Sequence, residues 1–151
     1  MKLSTFLEGQ GTYVGIKLDE SSKQELVRLQ TSLRLANPLD PDKFHVTVLY
    51  SRNQIDVPAV DTTFVATIEY IDCWKTQDGK HAVVAKMKCP ELVARHEDLI
   101  SIGGTHDYPD YTPHVTLSYD DAITPLFVEA EVRLVDEYVE PLDLSWAENN
   151  G

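Results

Sequence analysis

Two short stretches of the chain repeat one order of side chains. Residues 44–50 read FHVTVLY and residues 113–119 read PHVTLSY. Each is His, Val, Thr, an apolar residue, one variable residue and Tyr, and the two histidines lie 69 positions apart. Alternate residues of a strand share a face. His45 and Thr47 therefore point one way and Val46 and Val48 the other; His114 and Thr116 do the same against Val115 and Leu117. Two such strands side by side would line one cleft with two imidazoles and two hydroxyls. That set suits phosphodiester chemistry. One imidazole takes a proton from an attacking oxygen, the other gives one to the leaving oxygen, and an ordinary histidine pKa of about 6.5 lets both forms exist near neutrality. The hydroxyls donate hydrogen bonds to non-bridging oxygens as charge builds. Nothing in this arrangement requires a metal or a cofactor. A single HxT on a strand is ordinarily a structural histidine; the matched second copy is what asks for a functional reading.

The elements that must hold those segments can be read from hydrophobic periodicity. Residues 12–18 (TYVGIKL) alternate as a strand. Asp19 and Ser21 offer caps to a helix in which Leu26, Val27, Leu29, Leu33 and Leu35 recur at helical spacing, and Pro38 and Pro41 stop it. The first motif follows as a strand. Residues 62–74 predict a long strand, Asp78-Gly79 a tight turn, and residues 81–87 the returning strand. Pro90 opens a second helix that ends at Gly103-Gly104. A tyrosine-bearing loop leads to the second motif, a short helical segment is expected near Pro125, and residues 128–139 form a final strand. Each motif thus follows a helix and a loop, a weak internal repeat that predicts an α+β fold of two similar lobes. Regular alternation puts Tyr50 and Tyr119 on the face opposite the histidines, in the core.

Composition bounds the partners. The chain has 151 residues, enough for one domain. It carries 13 Lys and Arg against 25 Asp and Glu, a net charge of -12. Such a surface repels long nucleic acid, whose binding rests on neutralised phosphates, but leaves room for a small phosphate ligand in a local pocket. No apolar run approaches the length of a membrane span, and the N-terminus makes a poor signal peptide. Cys73 and Cys89 read as free thiols of a reducing compartment.

The paired motifs, with the strand and helix order over essentially the whole chain, resemble the two-histidine (2H) phosphoesterase superfamily. That resemblance implies one domain over residues 1–151: a bilobal fold of two pseudo-symmetric lobes, mostly antiparallel strands with helices outside, a central cleft, and residues 140–151 as a lid-forming tail. The short acidic chain with its Trp-bearing tail looks like the anti-CBASS nucleases of T4-like bacteriophages. That likeness implies a metal-independent hydrolase of cyclic di- and trinucleotide messengers, adenine-containing ones foremost, acting in the cytoplasm of the infected bacterial host. In that family's route a ribose 2′-hydroxyl attacks the adjacent phosphodiester, and water opens the resulting 2′,3′-cyclic phosphate. Carried over by motif, His45 and His114 are the acid/base pair and Thr47 and Thr116 the phosphate binders. His45 as base and His114 as acid is the orientation adopted, with the reverse left open. Three readings stand beside it: an RNA-end 2′,3′-cyclic phosphodiesterase, a 2′,5′-oligoadenylate hydrolase, and a non-catalytic protein that sequesters nucleotides.

A nucleotide also needs a platform for its base. Tyr13, Trp74, Tyr111 and Trp146 are the aromatic candidates, each worth about 1–3 kcal/mol if a base stacks on it. Trp146 lies in the polar tail, either over the base or anchoring the tail. Glu140 is placed to accept from an adenine amine, or is one surface acid among many. Tyr13 and Tyr111 either touch substrate or pack beside the motifs. His106, Asp107 and Asp110 lack a second histidine at ligand spacing and read as a solvated loop rather than a metal site.

Overall fold

The computed structural model describes residues 10–106 and 110–143. Its elements run β1 (Gln10–Leu18), α1 (Glu20–Ser32), a 3-10 turn (Pro41–Lys43), β2 (Val46–Ser51), β3 (Phe64–Lys75), β4 (His81–Lys88), α2 (Pro90–Ser101), β5 (His114–Tyr119) and β6 (Leu126–Asp143). Every pairing is antiparallel, and the sheet closes on itself in the order β1-β2-β5-β4-β3-β6. The α+β class expected from the sequence is the class observed.

β1 shows how alternation divides the molecule into two faces. Val14, Ile16 and Leu18 are buried, while Tyr13, Gly15 and Lys17 point the other way. The buried set joins Val46, Val48 and Leu49 of β2, Val83 and Ala85 of β4, and Val115 and Leu117 of β5 in one core. The helices cover that core, α1 through Leu26 and α2 through Leu92 and Leu99, all with no exposed surface. Each such side chain contributes about 1.5–3 kcal/mol by leaving water. Asp19 caps α1 by accepting from the Ser22 amide at 2.9 Å. Pro90 stands at the first turn of α2, where its missing N–H goes unneeded. Gly103 ends that helix with φ 114°, the left-handed region a side chain resists. Gly79 closes the β3–β4 hairpin with φ 85°, as its sequence anticipates.

β6 ties the sheet together. Its first part pairs with β3, from Ile71 opposite Leu126 to Phe64 opposite Leu134. Its second part pairs with β1, from Leu18 opposite Leu134 to Gln10 opposite Asp143. Two expectations are corrected here. The stretch before Pro125 is irregular rather than helical: five residues ending in a proline are too few to nucleate a turn, and the residue before proline is pushed from helical geometry. Glu140 and Pro141 belong to β6 rather than to a tail, because Tyr13 and Thr12 pair with them. Residues 144–151, with Trp146, lie outside the described residues. No helix among the described residues is long and apolar enough to cross a membrane.

Candidate active site

β2 and β5 meet at the pair Val46 and Val115, both fully buried. His45, Thr47, His114 and Thr116 flank that pair, so all four face away from the helices. Counting outward from it, His45 lies across from Thr116 and Thr47 across from His114. The two imidazoles belong to diagonal neighbours, residues about 7–8 Å apart with their Cβ atoms somewhat closer.

Beyond the threonines both strands break their alternation at the same place. Leu49 pairs with Val14 but Thr47 with Gly15, leaving Val48 as an extra residue. Ser118 pairs with Val83 but Thr116 with Val84, leaving Leu117 extra. These are β-bulges, which turn the following residues to the other face. Tyr50 and Tyr119 therefore sit on the side of the histidines, against the sequence expectation. Tyr50 meets the Tyr13 ring edge-on at 6.4 Å, and Tyr119 is 52% exposed rather than core.

The imidazoles are fixed alike. His45 Nδ1 lies 2.9 Å from the carbonyl of Lys43, and His114 Nδ1 lies 2.9 Å from that of Thr112. A carbonyl only accepts, so Nδ1 carries the proton in both rings and Nε2 is the atom left for chemistry. The edge of His114 is covered by Trp74, with ring centres 4.6 Å apart. Burial lowers the His114 pKa below the ordinary histidine value; the positive charges of His45 and Lys86 act the same way, and the bond to Thr112 partly offsets them.

The sequence-selected residues outside the motifs take distinct places. Tyr13 shares a hydrogen bond of 2.9 Å with Thr47 Oγ1. Burial raises its pKa, so the phenol stays neutral. Gly15 makes the neighbouring space: a Cβ there would fall 2.5 Å from the Tyr138 hydroxyl and 2.8 Å from the Tyr13 ring. Tyr111 donates from its hydroxyl to the Thr47 carbonyl at 2.6 Å and stacks on His96 at 4.1 Å. It braces the first motif from behind. Glu140 is exposed and pairs with Tyr13 across β1 and β6. His106 packs edge-on to His96 and Tyr111, and no group of three or more metal-ligating side chains occurs among the described residues.

Beside His114 stand Trp74, one of the aromatic candidates of the sequence, and Lys86, which sequence reasoning does not reveal, with Tyr70 one strand beyond Lys86. Trp74, ambiguous in sequence between packing and ligand contact, donates its indole N–H to Asp72 at 3.0 Å. Lys86 pairs with His114 across β4 and β5, and Tyr70 pairs with Lys86 across β3 and β4. The turn at Asp78-Gly79 held the signal, because it fixes the register that aligns Trp74 with Ala82. A separate depression of about 440 Å³, lined in part by Met87, Val93, Glu97 and Pro113, contains none of the four motif side chains.

The family model for Anti-CBASS protein Acb1 matches residues 10–149. Anti-CBASS protein Acb1 of Vibrio phage KVP40 is 85% identical over 99% of both chains. That of Enterobacteria phage T4 is 40% identical over 92% of this chain and 93% of its own. Among solved structures, TT0787 of Thermus thermophilus superposes with a TM-score of 0.60 at 16% identity, over 88% of this chain and 97% of that one. E. coli LigT complexed with phosphate does so with a TM-score of 0.52 at 14% identity, over 89% and 95%. At those identities the likeness is one of fold.

Proposed function

The chain belongs to the Acb1 anti-CBASS family, and on that premise we propose that it is a phosphodiesterase that opens the 3′-5′ bonds of cyclic di- and trinucleotide messengers inside an infected bacterium, disarming the CBASS response. The observation that carries this reading is the pair of imidazoles on one sheet face, each with Nδ1 tied to the carbonyl two residues before it, which leaves both Nε2 atoms available to a phosphate.

The attacking group comes with the substrate. A ribose 2′-hydroxyl stands beside the phosphorus of its own 3′-ester, and that proximity supplies much of the rate. The lowered pKa of His114 keeps its Nε2 unprotonated and suits it to take the 2′-hydroxyl proton; this reverses the orientation adopted from sequence. The 2′-oxygen bonds to phosphorus and the 5′-oxygen leaves with a proton from His45. The products are a 2′,3′-cyclic phosphate and a free 5′-hydroxyl. The same two side chains then run the step backwards with water, leaving a 3′-phosphate. Thr47 and Thr116 donate to the non-bridging oxygens, with Tyr13 orienting the Thr47 hydroxyl. Trp74 and the candidate tail residue Trp146 are base platforms, and Glu140 accepts from an adenine amine.

Purified protein mixed with excess cyclic trinucleotide in EDTA, with the products separated by chromatography, tests the reading. Expected are many turnovers, a transient 2′,3′-cyclic phosphate, and no cutting of the 2′-deoxy analogue. Protection of one equivalent without products would mean sequestration instead.

A further inference from the structure

The internal repeat extends beyond the two motifs. β1 stands to β2 as β4 stands to β5: Gly15 pairs with Thr47 and Ile16 with Val46, as Val84 pairs with Thr116 and Ala85 with Val115. One residue further, Lys86 pairs with His114, and Lys17 holds the matching place beside His45. Both lysines lie on the site face, because Ile16, Leu18, Ala85 and Met87 around them are buried in the core. Each ammonium rests over a tyrosine ring at 5.7 Å from its centre, Lys17 over Tyr138 and Lys86 over Tyr70.

Resting on the phosphodiesterase reading, we propose that Lys17 and Lys86 are a matched pair of phosphate-binding residues that hold the phosphates neighbouring the scissile one, so that the site selects nucleotide chains bearing phosphate on both sides of the cut. Neither lysine gives or takes a proton in the acid/base steps, although the charge of Lys86 bears on His114. Across the strand order β1-β2-β5-β4 they flank the two imidazoles, about 14 Å from one outer strand to the other. A chain threaded over the central phosphate places its next phosphates toward those flanks. In a protein of net charge -12, an anionic ligand needs local cations to dock. Lys86 shares its charge with Asp72 at 3.8 Å and keeps 35% of its side chain exposed; an ammonium has three donors, so others stay available. A tyrosine ring beneath steadies an ammonium without neutralising it.

Two non-cleavable probes test the pair by calorimetry: a 2′-deoxy cyclic trinucleotide with three phosphates, and a 2′-deoxy dinucleoside monophosphate with one. Lys17→Met and Lys86→Met should each weaken the cyclic probe about tenfold and leave the single-phosphate probe within about twofold, while Lys→Arg at either place keeps most of the affinity. Melting temperatures check that the variants are folded. Equal losses on both probes, or no loss on the cyclic one, overturns the proposal. If wild-type protein binds neither probe, the phosphodiesterase reading falls and takes the pair with it; if it binds and the variants bind equally well, only the lysine pair falls.

Discussion

At the scale of single residues, the protonation state of His114 decides the direction of the chemistry. Burial disfavours its imidazolium and Lys86 adds to the effect, so the ring stays a competent base at acidities where an ordinary histidine is already charged. The acidic limb of kcat/KM should therefore have its midpoint below about 6.5. Replacing Lys86 with Met removes a positive neighbour, favours the protonated ring and moves that limb upward in pH; a limb that stays put, or moves down, would remove Lys86 from the electrostatics of the base. His45→Ala and His114→Ala should each lower kcat by about 10²–10⁴ while substrate still binds, read by single-turnover kinetics. Tyr13→Phe keeps the ring but releases Thr47 Oγ1, whose bond to Tyr13 is 2.9 Å. A fall of about tenfold in kcat with KM little changed is expected, since the threonine matters most as charge builds.

At the scale of elements, the bulges at Val48 and Leu117 need support, because an extra residue leaves its backbone groups outside the ladder. The helices supply it crosswise. His96 of α2 donates from Nδ1 to the Val48 carbonyl of β2 at 2.7 Å, and Gln30 of α1 donates to the Leu117 carbonyl of β5 at 2.9 Å. Gln30 also reaches the Leu39 carbonyl at 2.9 Å. Each helix thus holds the motif strand of the other half. Gln30→Met, close in volume but without donors, should lose about 1–3 kcal/mol of stability in urea titrations, because the Leu39 carbonyl loses its donor and the Leu117 carbonyl keeps only the Leu39 amide, at 2.8 Å. His96→Leu should do likewise and also slow turnover, because His96 stacks under Tyr111 and Tyr111 holds Thr47. The bulges also mark where the sequence stops being legible. Alternation in TYVGIKL and the Asp78-Gly79 turn announce strands and register. The doubled HVT announces the imidazoles and hydroxyls. One inserted residue leaves no trace in composition, so Tyr50 and Tyr119 read as core. The kinship of Lys17 with Lys86 is hidden because the residues around them differ, Tyr13 matching Ala82 and Gly15 matching Val84.

At the scale of the whole molecule, β6 joins the two ends of the sheet, and one buried ion pair fixes its course. Asp136 takes φ 58°, in the left-handed region, where β6 skips a residue against β1 between Ile16 and Lys17. That kink sends Glu137 toward the helices while Tyr138 faces the site. Glu137, with no exposed side-chain surface, accepts from Arg95 of α2 at 2.8 and 3.2 Å and from the Val60 amide at 3.1 Å. Arg95 also donates to the Pro58 carbonyl at 3.2 Å. Helix, loop and strand therefore meet at one carboxylate. Removing the guanidinium strands a charge that only one amide still serves, and breaking such a pair costs about 3–5 kcal/mol. Arg95→Met should lower the melting temperature by roughly 10 °C. The double variant Arg95→Met/Glu137→Met removes the stranded charge with its partner, so it should recover a large part of that loss. A double variant no more stable than the single would mean that packing at this junction, not charge, holds β6 in place.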